Sequence, residues 1–301
     1  MNQNKLGLIF VLASSFCYAL TGILSKVLVS SGLPPMLTLT LRTLFCTVFL
    51  GILVFAVKKE QCFPKKKDIK TFFLLGIVLF VYSAGYFLSL VYLDISIAVV
   101  LLYTYPAMLV IASIFAFKER LNKITVIALG LTFLGILFTI GIFDSSLENL
   151  SVTGLILVLS AAVGVAVYAI LVKKLTSSYN GLVINLYCFI AASLLYCLIF
   201  PFCLPEEWPA ATEYLSILVL ALPYTLAFLF YAKGLQYLEA GKVGILASTE
   251  PVFSIAMAAL FLGESIAPMQ GVGILLVLTA IVLLELFPKK KEISDERDDQ
   301  K

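Results

Sequence analysis

Tyr237-Leu238-Glu239-Ala240-Gly241-Lys242 opens the stretch that decides the fold. An apolar run carrying Thr249-Glu250-Pro251 follows, and Phe261-Leu262-Gly263-Glu264 closes it. The stretch has an echo 145 residues earlier: Tyr92 matches Tyr237, Thr104 matches Thr249, Pro106 matches Pro251 and Glu119 matches Glu264. Both copies place a proline in the middle of an apolar helix. The second copy adds a carboxylate beside its proline. In hydrocarbon a broken helix and an ionisable side chain mark a pathway or a site.

The composition around this stretch narrows the class. Of the 301 residues, 61% are hydrophobic and 13% are charged. A soluble domain of this size cannot cover that much apolar surface with so few charges. Apolar stretches of about 20 residues, each long enough for a helical span, recur along the chain. They lack the alternation of an outer-membrane barrel strand. The expected fold is an all-α integral membrane protein. Five cysteines (Cys17, Cys46, Cys188, Cys197 and Cys203) lie in or at the ends of apolar segments without metal-ligand spacing. They read as small apolar side chains. Histidine is absent, so proton chemistry near neutral pH falls to a perturbed carboxylate or to water.

Ten spans are expected: 6–29, 34–57, 71–92, 96–117, 124–142, 152–172, 181–203, 214–235, 241–262 and 267–287. The first reads as a retained helix rather than a cleaved leader. The charged stretch 288–301 reads as a disordered cytoplasmic tail. With the N-terminus inside, 19 of the 21 basic residues fall on the inner side, leaving Lys26 outside and Arg42 within a span. The outer loops then carry Asp144, Glu148, Glu206, Glu207 and Glu213. This asymmetry predicts cytoplasmic N- and C-termini in an inner or plasma membrane.

A second match extends the repeat. Gly7–Leu28 aligns without gaps with Gly154–Leu175, with ten of 22 positions identical, including Lys26 with Lys173. Two five-helix repeats are therefore expected, 5–142 and 151–287. Five is odd, so the second repeat enters the membrane inverted. Inverted halves make inward-open and outward-open states close in energy, the physical basis of alternating access.

With these residues in hand the chain resembles the EamA-type ten-span family of the drug/metabolite transporter superfamily. The resemblance rests on the five-plus-five repeat, Thr-x-Pro in spans 4 and 9, and the endings Lys118-Glu119-Arg120 and Leu262-Gly263-Glu264. Arg42 matches a commonly basic position of that family. The resemblance covers residues 5 to 287. It implies a central cavity between the halves, with proton-linked or exchange-driven transport.

Glu250 is the sharpest candidate. It lies about nine residues, roughly 13 Å of helix, from the inner end of its span. An ionised carboxylate at that depth costs about 3 kcal/mol on insertion scales. It must be protonated, paired or in a wet cavity. Its repeat partner is Tyr105, so the repeat does not require the charge. Arg42 is the one intramembrane cation and a candidate partner for Glu250; snorkelling to the outer interface is the alternative. Tyr86, Tyr103, Tyr105 and Tyr231 offer apolar faces with one hydroxyl each, suited to an amphipathic solute. Pro106 and Pro251 free the carbonyls of Leu102 and Ala247, which a neighbouring helix, water or ligand must satisfy. They are the candidate gate. Glu119 and Glu264 read as structural, Glu119 through ion pairing with Lys118, Arg120 and Lys123. Small residues Ser160, Gly164, Gly271 and Gly273 are expected at close helix contacts.

No phosphate-binding glycine loop, zinc spacing or nucleophile motif is present. No cofactor, metal site or nucleic-acid partner is expected. The reading is a secondary transporter of a small metabolite, with export of amino acids or related compounds favoured through the resemblance. Import and multidrug efflux are alternatives in the same class. A membrane sensor or a membrane-embedded enzyme is the alternative of another class. The expected partners are a small solute and the lipid bilayer, with protons and a homo-oligomer left open.

Overall fold

The computed structural model describes residues 3–30, 33–57, 63–140, 151–202, 210–263 and 265–287. These residues form twelve α-helices: α1 (Gln3–Ser30), α2 (Pro35–Val57), α3 (Ile69–Ser89), α4 (Ile95–Leu102), α5 (Tyr105–Phe117), α6 (Lys123–Ile140), α7 (Val152–Leu175), α8 (Gly181–Ile199), α9 (Ala211–Tyr237), α10 (Ala240–Ala247), α11 (Glu250–Leu262) and α12 (Pro268–Leu286). No strand occurs among the described residues. Ten spans are long and apolar enough to cross a membrane, the α4–α5 pair and the α10–α11 pair each making one. Lipid offers backbone groups no hydrogen-bond partners, so a helix that satisfies its own is the stable form of each span. The expected tail at 288–301 and the acidic residues Asp144, Glu148, Glu206 and Glu207 lie outside the described residues.

The helices pair as an inverted repeat requires. α1 packs along α9, and its counterpart α7 packs along α3. α2 packs on α8 and α6 on α12, each helix against its own counterpart. The glycines show the match at atomic scale. A Cβ on Gly7 would meet Leu238 Cγ at 2.6 Å and Tyr237 Cβ at 2.9 Å. A Cβ on Gly154 would meet Leu93 Cγ at 2.6 Å and Tyr92 Cβ at 2.9 Å. These are the matched residues of the two copies, so the helix entering each repeat must lack a side chain at this point.

Other small residues act as expected, with one correction. A Cβ on Gly164 would lie 2.7 Å from Tyr82 Cβ, and one on Gly273 would clash with Thr139 Oγ1. Ser160 Oγ lies 3.3 Å from the position of a Cβ on Gly85. Gly271 has open space instead, with nothing within 4 Å of a Cβ.

The proline spans are broken rather than bent. Pro106 and Pro251 sit in the first turns of α5 and α11, where a missing N–H costs nothing. The helix before each ends four residues ahead of the proline, at Leu102 and Ala247. Threonine hydroxyls replace part of the lost bonding: Thr104 Oγ1 donates to the Leu101 carbonyl at 2.7 Å, and Thr249 Oγ1 to the Leu246 carbonyl at 2.8 Å. The Ala247 carbonyl accepts from Ser15 Oγ of α1 at 3.2 Å, the neighbouring-helix solution. The residue matching Ser15 in the second copy is Ala162, which has no hydroxyl to give Leu102.

Candidate functional site: a tyrosine cluster between Arg42 and Glu250

The break in the ninth span makes Glu250 the first residue of α11. A helix N-terminus carries unpaired N–H groups and the positive end of the macrodipole. The carboxylate thus stands where mid-membrane backbone favours negative charge, something no reading of a continuous kinked helix reveals. Glu250 faces the Tyr103 hydroxyl, which is placed to hydrogen-bond to it. Tyr18, Tyr86 and Tyr105 are within its electrostatic reach. Glu250 and Tyr86 keep some accessible surface at this depth. Tyr103 and Tyr105 are 7% exposed, with ring centroids 5.9 Å apart. Tyr231 is 5% exposed, and its buried hydroxyl has no hydrogen-bond partner.

Arg42 stands apart from Glu250. The two make no ion pair among the described residues. The guanidinium carbon lies 3.9 Å from the ring centroid of Tyr224 in α9 and 5.8 Å from that of Phe87. With Arg42 only 5% exposed, the snorkelling alternative does not hold. The Tyr224 ring is 6.1 Å from that of Tyr18, and Tyr18 in turn reaches Glu250. A wall of tyrosine faces therefore separates the cation from the carboxylate. Tyr18 and Tyr168 were not candidates in the sequence: neither flanks a mid-span proline nor matches a tyrosine across the repeat. Neither was Asn185. Asn185 is fully buried and donates to the Gly181 and Phe228 carbonyls at 2.9 and 3.2 Å, while accepting from Tyr168 at 3.0 Å. A polar residue satisfied on both ends joins α7, α8 and α9 beneath the cluster.

The description "EamA-like transporter family" belongs to the family model that matches residues 5–141 and 152–286. The chain belongs to the EamA-like transporter family. An uncharacterized transporter of Bacillus subtilis (strain 168), YetK, is 24% identical, with 96% of this chain and 89% of that protein covered. An uncharacterized transporter of Synechocystis, sll1319, is also 24% identical, over 69% of this chain and 64% of its own length. A solved structure titled only "Crystal structure of protein" superposes with a TM-score of 0.81 at 20% identity, covering 94% of this chain and 98% of its own. It supports the fold. The protein is thus a multi-pass membrane transporter that works on a small solute within a lipid bilayer.

In this EamA-family transporter the two broken spans cross beside the tyrosine cluster, and the crossing is closed at one end. On the face that holds the start of α1 and the end of α12, α10 packs against α5. Gly241 and Gly244 allow it: a Cβ on Gly244 would lie 2.9 Å from Leu109 Cδ2 and 3.5 Å from Pro106 Cα. Glu119 then fastens the end. Its two carboxylate oxygens accept from the backbone N–H groups of Ala240 at 2.8 Å and Gly241 at 3.2 Å. Glu119 is thereby a helix cap that joins the repeats, a role the reading of a surface ion pair did not include. The reason is geometric: a carboxylate within reach of the unpaired N–H groups of a helix start takes them. Beside it, Lys173 Nζ donates to the carbonyls of Leu235 at 2.7 Å and Leu238 at 2.6 Å, holding the end of α9. A hollow of about 220 Å³ lined by Asn4, Glu119, Arg120, Glu239 and Lys242 lies behind this end. None of Arg42, Glu250 and the tyrosines around them lines it. Side-chain statements about Lys26 and Glu264, the counterparts of Lys173 and Glu119, fall outside the described residues.

Proposed function

We propose that the protein is a secondary transporter that moves a small amphipathic metabolite by alternating access, in the plasma membrane with both termini cytoplasmic. Export of amino acids or related compounds is the favoured task. The observation that carries this reading is Glu250: a carboxylate at mid-membrane, at the start of a half-helix, set among tyrosines. Its charge state responds to desolvation, to a bound cation and to the side from which water reaches it. The tyrosines Tyr86, Tyr103, Tyr105 and Tyr231 hold the body of the solute. Pro106 and Pro251 keep the two spans divided, so their halves can pivot as the gate.

Glu250→Gln keeps shape and removes the charge. In proteoliposomes the variant is expected to lose accumulation driven by a pH gradient while keeping exchange of labelled solute. Reduced affinity under every driving force would instead assign Glu250 to a cationic group of the solute. Unchanged accumulation, exchange and affinity would remove Glu250 from the mechanism.

A further inference from the structure

We propose that Arg42 is an anion-binding subsite and that the transported solute carries a carboxylate held there. The inference rests on the transport reading and names the chemistry of its cargo. Arg42 is nineteen-twentieths buried, with 5% of its surface exposed. A buried guanidinium normally finds carboxylate or carbonyl acceptors, because an unpaired charge in low dielectric is strongly disfavoured. Here it has none of the usual partners. Among the described residues no acidic side chain comes within ion-pair distance of it, and its Nε–H is buried without an acceptor. The Tyr224 face supplies cation–π attraction, which leaves the in-plane N–H groups of the fork unused.

The Tyr196 hydroxyl is buried beside the Ser83 hydroxyl and lies within electrostatic reach of Arg42. A fixed, buried cation whose N–H has no acceptor describes a place for an oxygen-rich anion. The planar fork suits the two oxygens of a carboxylate. Beyond the cation the wall consists of ring faces, Tyr224 and then Tyr18. The carboxylate must therefore belong to a molecule with an apolar or aromatic body. Glu250, at the other end of that wall, stays free for a proton or an amine.

Ligand-induced thermal stabilisation of the whole protein in detergent tests this without any gradient, so it is independent of the Glu250 coupling experiment. Three matched pairs serve as probes at equal concentration: hexanoate with hexanamide, 3-phenylpropanoate with its amide, and phenylalanine with phenylalaninamide. At least one carboxylate is expected to raise the melting temperature while its amide does not. Arg42→Gln should abolish that difference, and Arg42→Lys should keep the charge while weakening binding at least tenfold. Arg42→Gln melting as wild type without ligand confirms that the variant is folded. If it does not, the wild-type preference and the Arg42→Lys variant decide alone. Binding by none of the carboxylates overturns the proposal. So do equal binding of acid and amide, or chloride alone giving the full Arg42-dependent effect.

Discussion

The crossing of α10 with α5 and the crossing of α4 with α11 are the same contact written twice by the repeat, and only the first is made. At the first, Leu109 is 0% exposed, Val110 4% and Ser113 1%. Their counterparts at the second, Ser254, Ile255 and Ala258, are all half-buried, and α4 makes no comparable packing with α11. Two things separate them in sequence. α10 presents Gly241 and Gly244 where α4 has Ser96 and Val99. A β-branched valine cannot let helix backbones approach as a glycine does. The difference teaches that the inverted repeat writes the same crossing twice, while side-chain size decides which copy packs.

Accessibility gives the largest effect that can break this comparison. In a cysteine-free background, Ser254→Cys should react with a membrane-impermeant thiol reagent from outside, and its counterpart Leu109→Cys should be silent. An introduced cysteine at Thr212 should label from outside, and one at Ser177 only after permeabilisation. Equal reaction of Leu109→Cys and Ser254→Cys would mean that the two crossings do not differ. The reverse sidedness would overturn the orientation.

A smaller effect comes from the cap that holds the closed crossing. Glu119→Ala removes an acceptor shared by two helix-start N–H groups. Loss of such a cap costs about 1–2 kcal/mol, or roughly 5–30-fold in a two-state equilibrium. The population should move toward opening on the inner side. In the Glu119→Ala background, the Leu109→Cys probe should gain labelling in inside-out vesicles. Labelling that stays at the background level would reduce Glu119 to a local cap.

The smallest effect lies where the two copies end α5 and α11. Both ends use a left-handed residue, Lys118 at φ 55° and Gly263 at φ 68°. Gly263→Ala should cost about 1 kcal/mol, since a Cβ opposes that conformation. Lys118→Gly should change stability by less than about 0.5 kcal/mol, because relief of strain is offset by added freedom in the unfolded chain. Denaturant unfolding in detergent reads both. Similar losses in the two variants would show that the turns are not equivalent.

Composition and apolar run length determined the ten spans and the helical class, and internal sequence matches determined the two-copy plan. Hydrocarbon leaves a spanning segment few choices, so local sequence is enough to decide it. Glu250 was legible as well, because a carboxylate stands out against 22 mostly apolar residues of its span. What the side chains do to one another was settled only in three dimensions. Arg42 and Glu250, the two intramembrane charges, suggested a pair on charge alone. The fold instead set Arg42 against Tyr224, because α2 packs on α8 and α9 while α11 packs on α1. Glu119 read as a surface ion and became a cap 121 residues away in sequence. Tyr18, Tyr168 and Asn185 carried no signal, since an isolated polar residue in an apolar helix says nothing about which neighbour it meets. Spans follow from the solvent each residue must satisfy locally; sites follow from which helix faces meet, and that is a property of the whole packed chain.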